Sequence, residues 1–337
     1  MKNKSVYFIY DAVNCTPNGD PDTGEQRYNE NSKKAVVSDL RIKRFGRDKL
    51  NDIGENVYYF YDWDRISSNK KSASSKKSDS DDTDSKTKDK NTGSGAAIRF
   101  NLFCKENGIK DNDSKKILLQ HFVDVRVFGG ILTAKNKAQV TGALQFDAET
   151  DSVNEVVIGK NFINRGITTV FPSGGEKGQG GMGRDSYLRY GLFCVKGRVS
   201  ATTAKHNTMT DNDLKLVLSA IWDGMKTINT RSKYGHQPIA CIVVEHPTQE
   251  TKNGYLGKTF SKSFTPFEIK TDKKMSELYS RADYEFDFSP LISKFGDADV
   301  DSVTIYCDDN NFIQKYFANL PKNCEVLNPF DTLVTLI

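Results

Sequence analysis

Four histidines, six cysteines and a scatter of aspartates are the residues here that could do chemistry, and their spacing limits which chemistry is open to them. His121, His206, His236 and His246 show neither metal-ligand spacing nor the pattern of a nucleophile and its base. Cys15, Cys104, Cys194, Cys241, Cys307 and Cys324 lie far apart with no CxxC pair. That usage fits reduced thiols in a cytoplasm better than a disulfide framework or a zinc site. Asp79, Asp81 and Asp84 suggest calcium, but no glycine and closing glutamate follow as an EF-hand loop needs. Asp20, Asp22 and Glu25 invite the same thought and read better as a turn. Gly178-Gln179-Gly180-Gly181-Met182-Gly183 matches GxGxxG letter for letter, yet it leads into a strand where a dinucleotide site would follow one and open a helix. That loop also lacks the Gly-Lys-Ser/Thr of a P-loop. No metal, no cofactor and no catalytic residue is expected.

The more informative stretch is 174–203, GGEKGQGGMGRDSYLRYGLFCVKGRVSATT, in which a glycine-saturated loop runs through Met182-Gly183-Arg184 into a strand over about 188–201. Glycine this dense makes a helix entropically expensive and leaves a thin backbone that can lie close to a ligand. The Tyr, Phe, Val and Thr that follow suit a pleated, half-buried surface.

The elements around it are legible in order. Residues 5–13 form an apolar, aromatic strand, ended by a turn at 14–21 in which Asn18-Gly19 is expected to supply positive φ. A helix begins after Ser38, a suitable N-cap, with Asp39 in its first turn. Ile42, Phe45, Gly46, Lys49 and Ile53 share one side of it, while Lys43, Arg44 and Arg47 gather on another. Such a basic cluster is either a solvated face or a nucleic-acid contact. Residues 67–95 are almost all Ser, Lys, Asp and Thr and should be disordered. Residues 123–146 read as strand, bend at Gly129-Gly130, and strand over 140–146. A long insertion carrying Ile167, Val170, Phe171 and Pro172 precedes the glycines. Its apolar residues either pack the insertion's own base or serve function, since long loops in compact domains are commonly functional. The helix over 211–230 is capped by Thr210 and striped by Leu214, Val217, Leu218, Ile221, Met225 and Ile228. A doubly buried strand follows over 238–245. The tail, 246–337, adds a helix at Ser289-Pro290 and strands near Val303 and Leu333.

The order is βαββαβ, an α+β chain of RRM or ferredoxin-like type with insertions after the first helix and inside the central hairpin. With 337 residues and 37% hydrophobic content there is material for a sizeable core. A net charge of +4 offers no global case for nucleic acid, so local clustering must carry one. The N-terminal apolar run is too short for a signal peptide and nothing approaches a membrane span, so a cytoplasmic protein is expected.

Four blocks of residues resemble a known family, the repeated backbone subunit of CRISPR type I Cascade complexes, most closely its type I-B version. They are Pro17-Asn18-Gly19-Asp20-Pro21, Val37-Ser38-Asp39-Leu40-Arg41-Ile42-Lys43-Arg44, Asp124-Val125-Arg126-Val127-Phe128-Gly129, and Met182-Gly183-Arg184 with Tyr190-Gly191-Leu192 behind it. Thr16, Gly46 and Asp185 depart from the family pattern; Gly46 should cost its helix up to about 1 kcal/mol against alanine. The resemblance implies a hand-shaped, non-catalytic protein that polymerises along a CRISPR guide RNA as a helical filament of its own copies. Other Cascade subunits would be its partners, and target DNA would be met through guide pairing. It implies a palm (1–53, 121–149 and 188–246, elaborated by 247–337), fingers over 54–120 containing the disordered loop 67–95, and a thumb over 150–187. Because base pairing supplies specificity, such a protein needs backbone contacts and not base readout. By the resemblance, Lys43, Arg44 and Arg47 hold phosphates, with Asn18, Gly19, Ser38, Arg41, Arg126, Gln139 and Arg184 nearby. Ile167, Val170, Phe171, Pro172 and Met182 belong to the thumb.

Two enzymatic readings stand beside this one. A type III-like backbone subunit would cut target RNA with a loop aspartate, for which Asp20 or Asp39 could be proposed. A guide-processing endoribonuclease of similar fold would use a placed base, for which His206 is the candidate.

Overall fold

In the computed structural model, residues 1–60, 95–110, 113–133, 137–167, 181–247 and 263–329 are described. The strands are β1 (Lys4–Cys15), β2 (Tyr28–Asn29), β3 (Lys34–Ser38), β4 (Gly129–Leu132), β5 (Ala138–Thr141), β6 (Leu144–Phe146), β7 (Glu149–Asp151), β8 (Ile158–Ile167), β9 (Gly181–Val199), β10 (His236–Glu245), β11 (Glu268–Lys270), β12 (Glu285–Asp287), β13 (Ser302–Tyr306) and β14 (Cys324–Leu327). The helices are α1 (Asp39–Asp52), α2 (Gly95–Glu106), α3 (Ser114–His121), α4 (Val123–Phe128), α5 (Ala201–His206), α6 (Asp211–Thr227), α7 (Ser289–Ile292) and α8 (Asn310–Phe317). They fall into two compact units, a sheet unit (2–46, 145–199 and 218–337) and a hairpin unit (47–144 and 200–217).

The sheet unit is built on β1, whose residues from Lys4 to Ala12 are all buried. A strand this rich in apolar and aromatic residues has to be covered on both faces. β10 and β9 flank it antiparallel, with Val6 opposite Val243 on one side and Gly197 on the other. The strand order is β14-β13-β10-β1-β9-β6, with β8 also paired to β9. β13 and β14 run parallel, which makes the sheet mixed and the architecture α+β. One face, through Tyr7, Ile9, Leu192 and Ile242, packs on Phe267, Phe286, Phe288 and Leu291. On the other, Phe8 meets Trp222 edge-on at 5.9 Å and Tyr10 stacks on Phe193 at 5.0 Å. The expected strands at 5–13 and 238–245 and the helix after Ser38 are present. The stripe of α6 from Leu214 to Met225 is buried, but the helix ends at Thr227, so Ile228, expected in the stripe, lies half-buried beyond it. Thr210 caps the helix by exchanging hydrogen bonds with Asp213 at 2.8 and 3.1 Å.

The hairpin unit has its own core of Tyr58, Phe100, Leu118, Phe122, Val125, Leu132 and Val140. Here the expectations for 123–146 need correction. Residues 123–128, read as strand, are the helix α4, because Val123, Val125 and Val127 are all buried and Asp124 is held by long-range partners; tertiary contacts override β propensity. Gly129, at φ +84°, ends that helix instead of forming a hairpin bend and opens β4, whose pairing with β5 runs from Gly129–Thr141 to Leu132–Ala138. The single strand expected at 140–146 is split into β5 and β6 around Gly142, where a Cβ would lie 2.0 Å from the Phe128 carbonyl carbon.

Three further corrections concern the sheet unit. The strand expected at 188–201 starts at Gly181, because β8 supplies a hydrogen-bonding partner and so carries Met182-Gly183-Arg184 as strand backbone. Positive φ near the first turn belongs to Asn14 and Gly24, not to Asn18-Gly19. Ser289 is not the cap of α7; Phe288 takes the N-cap, Pro290 lies in the first turn, and the Ser289 hydroxyl donates to Asp287 at 2.5 Å. The loop 67–94, Val170, Phe171, Pro172 and Leu333 lie outside the described residues.

Candidate nucleic-acid interface

In the sheet unit the chain leaving β1 makes a tight, internally bonded turn. Asp20 N–H donates to Glu25 O at 2.7 Å, Gly24 N–H to Asp20 O at 2.8 Å, and Gly19 pairs with Gln26. The Asp20 carboxylate accepts the amides of Asp22 and Thr23 at 3.0 and 3.2 Å, and these bonds hold it below the usual carboxylate range. The acidic trio that suggested calcium is therefore a turn. Among the described residues, no group of three His, Cys, Asp or Glu could hold a metal ion.

Asn18 joins this turn to the next block. Its Oδ1 accepts the backbone N–H of Ser38 at 2.9 Å and the Ser38 hydroxyl at 2.8 Å, while its own N–H donates to Gln26 Oε1 at 2.9 Å. Gln26 in turn donates to the carbonyls of Arg27 and Val36. Asn18 is 7% exposed, so its side chain faces inward and fixes the backbone around Gly19. Three predicted residues, Asn18, Gly19 and Ser38, are thus brought together at the start of α1. Gln26, which completes the clamp, carried no signal in the sequence, because a buried glutamine is recognised only by its partners.

Along α1 the basic residues separate. The Arg41 guanidinium lies 3.9 Å from the centre of the Phe45 ring. Lys43 is only 5% exposed and donates to Asp39 at 2.7 Å, one turn earlier. Arg44 is exposed. A plain solvated face is not what α1 carries.

In the hairpin unit Arg47 donates to the fully buried Asp124 at 3.1 Å and lies over the rings of Tyr59 and Phe128 at 5.0 and 5.3 Å. Asp124 also accepts the amides of Tyr58 and Tyr59 at 2.8 and 3.2 Å. Arg126 grips Asp213 at 2.7 and 3.3 Å and donates to the carbonyls of Leu119 and Gln120 at 3.1 and 3.3 Å, closing the end of α3. Gln139 is exposed on β5, opposite Ile131. Arg184 is placed as β9 backbone opposite Phe162, and Ile167 as β8 backbone opposite Gly181.

Two of the four histidines, His236 and His246, have structural surroundings. His236 is buried with Nδ1 2.6 Å from Lys233 O, and burial pushes its pKa down to about 3. His246 bridges Ser5 Oγ at 2.9 Å and Asp299 O at 2.7 Å. His206 ends α5. All six cysteines are free thiols, and burial raises Cys15 to about 12. No helix among the described residues is long and apolar enough to cross a membrane.

A family model described as CRISPR-associated protein Cas7 matches residues 2–289. A protein of that description from Haloferax volcanii is 25% identical over 284 residues, covering 76% of this chain and 73% of its own. Among solved structures, a chain of a CRISPR RNA-guided surveillance complex, pre-nicking, superposes with a TM-score of 0.50 at 14% identity over 99% of both chains. At that identity the likeness is one of fold.

Proposed function

The chain belongs to the CRISPR-associated protein Cas7 family, and we propose that it is a non-catalytic backbone subunit of a type I effector complex, most closely of type I-B, that coats guide RNA and presents it for pairing with target DNA. Copies of the chain would line the guide as a helical filament in the cytoplasm, joined by other subunits of the complex. Four strands in the order β10-β1-β9-β6, reached through the sequence βαββαβ, support a ferredoxin-like palm.

The observation that carries the reading is the Asn18–Ser38 clamp. It ties the turn at 17–21 to the first turn of α1, so two blocks separated in sequence become one rigid piece. Rigid backbone with cations beside it is what a sequence-independent phosphate contact requires. Arg41 and Arg44 are proposed as phosphate contacts. Lys43, Arg47 and Arg126 would share their charge with carboxylates they already hold, and Gln139 in the hairpin unit and Arg184 in the sheet unit are proposed as further contacts, each within its own unit. The engagement of Asp39 by Lys43 and of Asp20 by backbone amides favours the structural role over a type III-like nuclease. The β8–β9 arm is proposed as the root of a thumb whose apolar residues, Ile167 to Pro172, wedge between bases at a regular interval; unstacking would cost a few kcal/mol, offset by new contacts.

The test is the state of the purified protein and of its assembled complex. Co-purifying RNA on a gel is expected, together with no cleavage of guide-paired RNA in magnesium, and chemical probing should show regular unpaired target positions. Shortening 166–181 should abolish that regularity while the monomer still binds short RNA. Protein free of RNA that also fails to bind added RNA would overturn the reading.

A further inference from the structure

Lys233 is a basic residue outside every block of the family resemblance. It lies in the turn between α6 and β10, and that turn is laced to the exit of β1. Val13 N–H donates to Gly235 O at 3.0 Å and Thr16 N–H to Ser232 O at 2.8 Å. Gly235 adopts φ +130°, and a Cβ there would come within 2.3 Å of Val13 O, so the two segments meet backbone to backbone. Held this way, the Lys233 ammonium donates to the carbonyls of Thr16 and, at 3.2 Å, Pro17, immediately before Asn18.

An ammonium has three donors, and these two bonds leave one. Carbonyl oxygens orient a cation without cancelling its charge. Among the described residues no carboxylate contacts Lys233. The charged and titratable groups facing it are Arg41 from α1, Cys15 from β1 and the buried His236 from β10. Burial first, and then the Arg41 charge, bring Lys233 down to about 8. Lys233 and Arg41 are both half-buried and Lys233 lies in the Arg41 field, so an anion that both can reach offsets their repulsion and the desolvation.

We propose that Lys233, together with Arg41, seats a backbone phosphate of the bound RNA, and that the seat takes up a proton as the phosphate enters. This rests on the reading of the chain as a guide-coating subunit. The phosphodiester is anionic throughout, so its arrival favours the charged lysine. In the free protein the ammonium loses its proton as pH rises through about 8, and in the complex it holds that proton to higher pH. Affinity therefore falls as pH rises above the value for the free protein.

Anisotropy titrations with a fluorescein-labelled single-stranded RNA, from about pH 7 to about pH 9, follow this directly. Wild-type protein should lose affinity approaching tenfold per pH unit above the Lys233 midpoint. Lys233→Arg, which keeps its charge, should bind with a flat profile. Lys233→Met should bind more weakly at neutral pH, also with a flat profile, and its log–log salt slope should be smaller by about 0.7. Thermal melts establish that each variant folds; if Lys233→Met does not, the contrast between wild type and Lys233→Arg decides alone. Parallel loss of affinity in wild type and Lys233→Arg would overturn the seat and leave the RNA-coating function standing, as would an unchanged salt slope in folded Lys233→Met. Absence of RNA binding by wild type at every pH would overturn both.

Discussion

Arg47 and Arg126 of the hairpin unit and Lys233 of the sheet unit are held in opposite ways, although the sheet unit also closes cations on carboxylates, as Lys43 on Asp39 and Arg281 on Asp11. In the hairpin unit Arg47 is neutralised by Asp124 and Arg126 by Asp213, and each arginine has further packing or carbonyl contacts. In the sheet unit Lys233 is held by backbone carbonyls that leave its charge intact. A buried cation closed on a carboxylate holds a fold together, and breaking the pair strands a charge. A cation fixed on carbonyls is also rigid, yet it still attracts an anion. Basic composition alone does not distinguish these roles; the acceptor does.

The largest expected effect comes from breaking the closed kind. Asp124→Ala removes the acceptor of Arg47 and of two backbone amides at a fully buried point. It should cost about 3–5 kcal/mol of stability, read from denaturant unfolding. A loss below about 1 kcal/mol would show that the pair does not organise the hairpin unit.

A smaller effect comes from Asp11, the converse case in the sheet unit. Its carboxylate meets Arg281 at 3.0 Å and the Tyr190 hydroxyl at 3.3 Å, yet Oδ1 is buried with no partner among the described residues. Burial outweighs the arginine and raises its pKa from 3.8 to about 6. The folded state therefore binds this proton more tightly than the unfolded state. Its contribution is fully present below the unfolded value and is lost as pH rises through about 6. The loss should amount to about 2–3 kcal/mol. Asp11→Asn should lack this component, so the difference between the two stability curves from acid to neutral pH measures it. Parallel curves would mean that Arg281 fully compensates the carboxylate.

The smallest effect on stability is expected at Arg44, exposed on α1. Arg44→Ala should leave the melting temperature unchanged while lowering the salt slope of RNA binding by about 0.7. A destabilised Arg44→Ala with an unchanged salt slope would move Arg44 into the structural class and blur the contrast between the two kinds of cation.

How much of this was legible beforehand follows from the range of the interactions. β1, β10 and α6 up to Thr227 are legible in the sequence because continuous apolarity, a 3.6-residue stripe and the Thr210 cap are encoded within a dozen or so neighbouring residues, whereas the end of the helix before Ile228 is not. The blocks around Asn18, Arg41 and Arg126 were recognisable as motifs, but what their side chains hold was not. The basic face of α1 shows the limit: its three cations look equivalent in sequence, and the fold gives Lys43 a local carboxylate, Arg47 one 77 residues away, and leaves Arg44 exposed.

The sequence by itself determined the central antiparallel strands, the long amphipathic helix and membership of the family, since these rest on local periodicity and on motif residues in fixed order. Only the tertiary structure decided that 123–128 is a helix, because Asp124 completes its hydrogen bonds through Arg47, Tyr58 and Tyr59, all distant in sequence. It alone decided that strand β9 begins inside the glycine run, since a strand needs a partner and β8 supplies one. It also decided that Lys233 reaches Thr16 across 217 residues. A side chain's donor or acceptor capacity is written in its type, but whether that capacity is spent on a carboxylate, on a carbonyl or on nothing is settled only when the chain closes around it.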